Sequence, residues 1–199
     1  MPPNRSLTTK FFHLLIMLIV LHQLLVSSVM EGPNRGRPGD WFYELHEWGG
    51  LAGLGLLTLF WLWVFVRRNE TPVSAMLPWF SSARRVALVE DLRLHIAALK
   101  DRHWPQSTND AMASATHGLG LLTAMAMAAT GAATLLWPGG SALHATVLST
   151  HKVLANLMWA YLIGHASIAV LHHFAGDDSL KRMFRIRQPR DKPAKEPHV

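Results

Sequence analysis

The sequence predicts an all-α membrane protein, a bundle of four transmembrane helices with an additional amphipathic helix on the cytoplasmic side. Three observations predict it. Of the 199 residues, 50% are hydrophobic and only 16% charged, where a soluble domain carries about a quarter. The uncharged residues fall into four runs, each long enough to cross a bilayer. The basic residues behind the net charge of +6 flank particular runs instead of forming one surface.

The first run, Phe11 to Met30, contains no formal charge. A cleaved leader is its rival reading, since Arg5 and Lys10 precede it and Val26-Ser27-Ser28 is small enough to cut. The run is longer than a usual signal core, however, and carries His13 and His22 inside it. The second run is Trp48 to Val66. From Ala111 to His151 no charge appears, and Pro138-Gly139-Gly140 divides this stretch, leaving a third span of about 111–137. The fourth run is Val153 to Gly176, within a span of about 151–176. Each meets the ~20 residues that a helix needs to cross ~30 Å of hydrocarbon.

Charge sets the expected orientation. Residues 67–110 hold Arg67, Arg68, Arg84, Arg85, Arg93, Lys100 and Arg102, and the chain after Gly176 holds Lys181, Arg182 and five further basic residues. The turn after the first span has only Arg35 and Arg37 against Glu31, Asp40 and Glu44. Positive-inside bias then puts both termini and residues 67–110 in the cytoplasm of a multi-pass bacterial inner-membrane protein. It also removes nucleic acid as the leading partner, and membrane lipid takes its place. Within the cytoplasmic segment, Val86, Val89, Leu92, Ile96 and Leu99 recur at helical spacing. Ser82 to Lys100 is therefore expected to be an amphipathic helix on the membrane surface, or one that docks a partner. Residues 1–187 make one domain, and residues 188–199, rich in proline and lysine, are expected to be a disordered tail.

The sequence has 12 histidines and no cysteine. That excludes disulfides, thiolate-held zinc or iron–sulfur clusters, and covalent C-x-x-C-H haem attachment. Ionisable residues inside a bilayer are expensive and face partners in a bundle interior. His151 and His165 are fourteen residues apart, hence nearly on one helix face and roughly 21 Å apart along the axis. His46 opens the second span at the outer side, and His13 enters the first from the inner side. Two pairs at matched depth follow, His46 with His151 and His13 with His165. Each could offer two imidazoles to one planar macrocycle within the bundle. Gly49, Gly50, Gly53, Gly55, Gly118, Gly120 and Gly131 suit close approach of a flat ring, and equally ordinary helix packing. Zinc or copper lacks a third ligand at suitable spacing, and a proton relay or purely structural histidines remain rival readings.

His22 lies half a turn away from the face of His13 and reads as a buried hydrogen-bonding group. His117 and His172 are candidates for contacts to quinone oxygens or haem propionates, as are Arg67, Arg68 and Lys152. His95, His103 and His144 are expected to be solvated.

The stretch from Ser149 to Arg185 resembles the last helix of the bacterial cytochrome b561 family, which includes the cytochrome b subunits of nickel–iron hydrogenases. The pattern H-x3-AN-x8-H-x6-HH is carried by His151, Ala155, Asn156, His165, His172 and His173, and Lys181-Arg182-Met183 follows. KFFHLL with His13, LHEWGGLAG with His46 and ATHGLGLL with His117 fall at corresponding places. The resemblance implies two non-covalent b haems, held by His13 and His165 and by His46 and His151. It implies electron transfer between a periplasmic redox partner (a cytochrome c or an oxidoreductase subunit) and a ubiquinone or menaquinone pool. One branch implies superoxide oxidase activity with ubiquinone as acceptor. The hydrogenase relatives imply a haem-bearing anchor for a larger oxidoreductase. The longer cytoplasmic segment departs from the compact members, so the superoxide activity does not carry over directly.

Overall fold

The computed structural model describes residues 5–34, 36–68, 70–102, 111–137, 139–176 and 183. Arg35, His103, Lys181, Arg182 and the expected tail at 188–199 lie outside the described residues. Among those described there are six α-helices and no strands: α1 (Leu7–Ser27), α2 (Trp41–Val66), α3 (Val73–Met76), α4 (Ser82–Lys100), α5 (Ala111–Ala133) and α6 (Ala142–Phe174). Four of them, α1, α2, α5 and α6, are long and apolar enough to cross a membrane.

Local chemistry sets the ends. Ser6 caps α1 by accepting the Thr9 N–H at 3.2 Å, and Asp40 caps α2 by accepting the Tyr43 N–H at 2.8 Å. The Asp40 cap starts α2 at Trp41, upstream of the uncharged run at Trp48. Ser141 likewise starts α6 at Ala142, so His151 lies well inside a 33-residue helix rather than at its end. The helix stops where Gly176 takes φ +89° and its N–H reaches back to the His173 carbonyl at 3.2 Å.

In space the long helices follow the order α1, α2, α5, α6, each packed on the next. The core is built from Val20 and Leu24 of α1, Leu57 of α2, Ala124 and Met127 of α5, and Met158 of α6. A second cluster, Phe60, Val64 and Met76, closes the end that carries the N-terminus. There α3 lies directly on α5, because a Cβ on Gly118 would run into the Met76 carbonyl. Met158 is the one described residue of α6 that is buried, so this helix leans on α5 and leaves much of its surface unpacked by protein.

Helix α4 occupies Ser82–Lys100, as its spacing predicts, but the amphipathic expectation is not confirmed. Val86, Val89, Leu92, Ile96 and Leu99 are all exposed, and the residue it buries is Asp91, at 1% exposure. Asp91 Oδ2 accepts the Met112 N–H of α5 at 2.9 Å. A carboxylate of one helix thus caps the N-terminus of another, where the helix dipole favours negative charge. The apolar stripe is exposed, and the least exposed face of α4 is the mixed one of Ala87, Leu88, Asp91, His95 and Ala98.

Candidate functional site

The histidines gather in two layers. In the layer remote from the N-terminus, His46 of α2 and His151 of α6 face each other with ring centroids 6.1 Å apart and planes at 76°. Helix α6 packs its backbone on α5, so these two rings reach towards each other from helices that are not close neighbours. The His151 ring is held from behind. Its Nδ1 lies 2.8 Å from the Met127 carbonyl and 3.4 Å from the Thr130 hydroxyl. Gly131 leaves the space, since a Cβ there would sit 3.0 Å from His151 Cε1. An Nδ1–H given to a carbonyl fixes the tautomer that offers Nε2 to a metal.

The second layer holds His13 of α1, His117 of α5 and His165 of α6. His165 meets the His117 ring edge-on at 5.1 Å, and Tyr161 stacks on it at 5.4 Å and 10°. His13 lies within electrostatic reach of both His165 and His117. His117 Nδ1 is bound to the Ala113 carbonyl at 2.6 Å, which turns its other nitrogen outward from the helix backbone. The ring contact of His165 is thus with His117, whereas depth along the helices pairs it with His13. Gly120 gives Tyr161 its place, because a Cβ would overlap the phenol ring.

The two layers are fourteen residues apart on α6, or roughly 21 Å at 1.5 Å per residue. Among the described residues no three of His, Cys, Asp and Glu come together as a metal cage. The fit to a haem can be tested on the first layer. Two metal–imidazole bonds of ~2.0–2.1 Å, with about 1.1 Å from each ring nitrogen to its centroid, put two centroids roughly 6 Å apart. His46 and His151 have that centroid spacing.

The other candidates are placed less centrally. Arg67 is occupied: it pairs with Glu70 at 3.2 Å, both side chains 7% exposed, and donates to the Thr9 hydroxyl and the Thr71 carbonyl. Its Nε and the His173 Nδ1 are buried without a partner among the described residues. Arg68 and Lys152 are exposed, and His172 is half-buried. His95 and His144, expected in solvent, are half-buried and bound to the Asp91 and Thr134 carbonyls at 2.8 and 3.2 Å. Sequence reasoning misses Gln23, Tyr161 and Asp91. A polar residue in an apolar span is the available signal for Gln23.

Four membrane-crossing helices with imidazoles stacked in layers between them define a membrane protein suited to holding a redox cofactor inside its bundle. The family model for prokaryotic cytochrome b561 matches residues 4–185. The chain therefore belongs to the prokaryotic cytochrome b561 family, whose members are membrane b-type cytochromes of electron transfer. Compared with curated proteins and with solved structures, it matches none.

Proposed function

We propose that this cytochrome carries electrons across a bacterial inner membrane through two b haems, linking a periplasmic redox partner to the quinone pool. His46 and His151 hold the periplasmic haem, and His13 and His165 hold the cytoplasmic one. The observation that carries the reading is the 6.1 Å separation of the His46 and His151 rings, which suits one iron between two nitrogens. The fourteen-residue interval from His151 to His165 then sets the second layer at the other side of the hydrocarbon core.

A haem bound by two imidazoles supplies one-electron redox chemistry with little change in its ligands. The chain's own part is to fix each ring. Met127 and Thr130 orient His151, and Tyr161 and His117 pack against His165. Buried Leu24, Leu57, Met127 and Met158 keep water out of the space between the layers. His117, adjacent to His165 and half-buried, is the group we assign to a propionate or to quinone on the cytoplasmic side. Arg67 is a weaker propionate candidate than its position in sequence suggests, because Glu70 already answers its charge.

Visible spectroscopy of the purified protein with pyridine haemochrome quantification tests this directly. Two haem b per chain are expected. His151→Ala and His165→Ala should each lower the count by one. Full haem content in both variants would overturn the ligand assignment.

A further inference from the structure

His46 has a buried polar neighbour that the pairing of histidines does not use. Gln23 lies near the end of α1 at 7% exposure, in an otherwise apolar span, and is aimed at α2. Gly49 makes its room, since a Cβ there would collide with the end of the Gln23 amide. A buried amide costs ~1–3 kcal/mol unless its hydrogen bonds are made. Gln23 makes them all with the site. Its Nε2 donates to His46 Nδ1 at 3.0 Å and to the His46 carbonyl at 2.9 Å. Its Oε1 accepts from the Gly50 N–H and from His22 Nδ1, each at 3.2 Å.

In this arrangement His46 Nδ1 is an acceptor, so the neutral ring carries its proton on Nε2. A ring that binds iron through Nε2 carries that proton on Nδ1 and needs an acceptor there. The same amide supplies one by turning end for end. Oε1 then occupies the position 3.0 Å from His46 Nδ1, and Nε2 meets His22 Nδ1 at 3.2 Å. Each histidine moves its own proton between its two nitrogens, so none is gained or lost. The turn gives up the bonds to the His46 carbonyl and the Gly50 N–H and brings Oε1 to 2.9 Å from that carbonyl oxygen, a cost that the new bond from Nδ1–H has to offset.

We propose that Gln23 is the positioning residue of His46. Its amide turns over when His46 binds iron, accepts the Nδ1 proton in a hydrogen bond and sets the tautomer of His22. This rests on the reading of His46 as an iron ligand. An acceptor at Nδ1 makes the imidazole a more electron-rich ligand, which stabilises ferric iron and lowers the midpoint potential.

The test is a redox titration of purified wild-type, Gln23→Leu and Gln23→Glu proteins, with His46→Ala identifying which spectral component belongs to His46. The Leu variant should raise the potential of that component alone, and the Glu variant, which keeps an acceptor oxygen, should hold it at or below the wild-type value. Loss of that haem in the Leu variant with retention in the Glu variant supports the same role. An unchanged potential in the Leu variant, equal shifts of both components, or loss of haem in both variants would overturn it. Undiminished haem in His46→Ala would instead remove the ligand reading beneath it.

Discussion

Thr9 ties the first turn of α1 to the end of α2 through one hydroxyl. It donates to Glu70 Oε1 at 3.0 Å and accepts from Trp63 Nε1 at 3.0 Å and Arg67 Nη1 at 3.2 Å. Glu70 also accepts the Ser6 N–H at 3.3 Å. Burial alone would raise the Glu70 carboxyl. Hydrogen bonds from Ser6 and Thr9, with the Arg67 charge, outweigh it and hold the carboxyl below its ordinary 4.5. Burial in turn lowers the Arg67 guanidinium, against the opposing pull of Glu70. A carboxyl depressed in the folded state stabilises the protein above its unfolded pKa, and that stability is lost as pH falls through the folded pKa. Melting temperature in detergent should therefore drop on acidification below about 4.5, and Glu70→Gln, which cannot titrate, should flatten that limb. At neutral pH the variant should be less stable by about 1–3 kcal/mol, because a part-buried guanidinium loses its counter-charge but keeps its bonds to Thr9 and Thr71. Parallel acid limbs for the two proteins would show that Glu70 contributes nothing to them. The sequence exposes half of this network. Glu70 is three residues from Arg67, a spacing that can be read directly, whereas Thr9 is 58 residues away and reaches Arg67 only through the antiparallel packing of two spans. Gln23 is hidden for the same reason, since its partner His46 lies on another helix.

Among the elements, α4 shows what periodicity can and cannot reveal. The recurrence of Val86, Val89, Leu92, Ile96 and Leu99 locates a helix and a stripe, but not the side on which that stripe lies. The less exposed side is the one that carries Asp91, whose partner is the Met112 N–H at the start of α5, a contact 21 residues distant in sequence. The four long helices are legible because some twenty residues without charge, in a chain this apolar, match the thickness of a bilayer. Their starts are less so, because Asp40 and Ser141 cap α2 and α6 upstream of the spans that charge alone marks out. If Asp91 joins α4 to the bundle, Asp91→Ala should lose the cap, at about 1–2 kcal/mol, and loosen the helix. Limited proteolysis in detergent should then cut within 82–100 faster than in wild type, and Asp91→Asn, which keeps an acceptor oxygen, should cut more slowly than Asp91→Ala. Equal cleavage of Asp91→Ala and wild type would leave α4 held by something else.

For the whole molecule the open quantity is sidedness, and the chain is well suited to measuring it. Exposed aromatic residues mark both ends of the bundle: Trp41, Phe42 and Trp48 at the start of α2, and Trp79 and Phe80 beyond its end. Such residues collect at the two membrane interfaces without distinguishing them. Basic charge does distinguish them, and Arg67, Arg68, Arg84, Arg85, Arg93 and Lys100 all lie at the Trp79 end or along α4. That end should face the cytoplasm, with the His46–His151 layer nearer the periplasm. With no cysteine in the sequence, a single introduced thiol reports its own surroundings without background. Gly139 lies in the exposed turn before α6, where an added Cβ meets nothing within 4 Å, and Ala83 is exposed in the first turn of α4. In intact cells permeable only at the outer membrane, a membrane-impermeant maleimide should label Gly139→Cys at once and Ala83→Cys only after lysis. The reverse pattern would invert the molecule, leave the layers and their spacing untouched, and move the His46–His151 pair to the cytoplasmic side of the electron path.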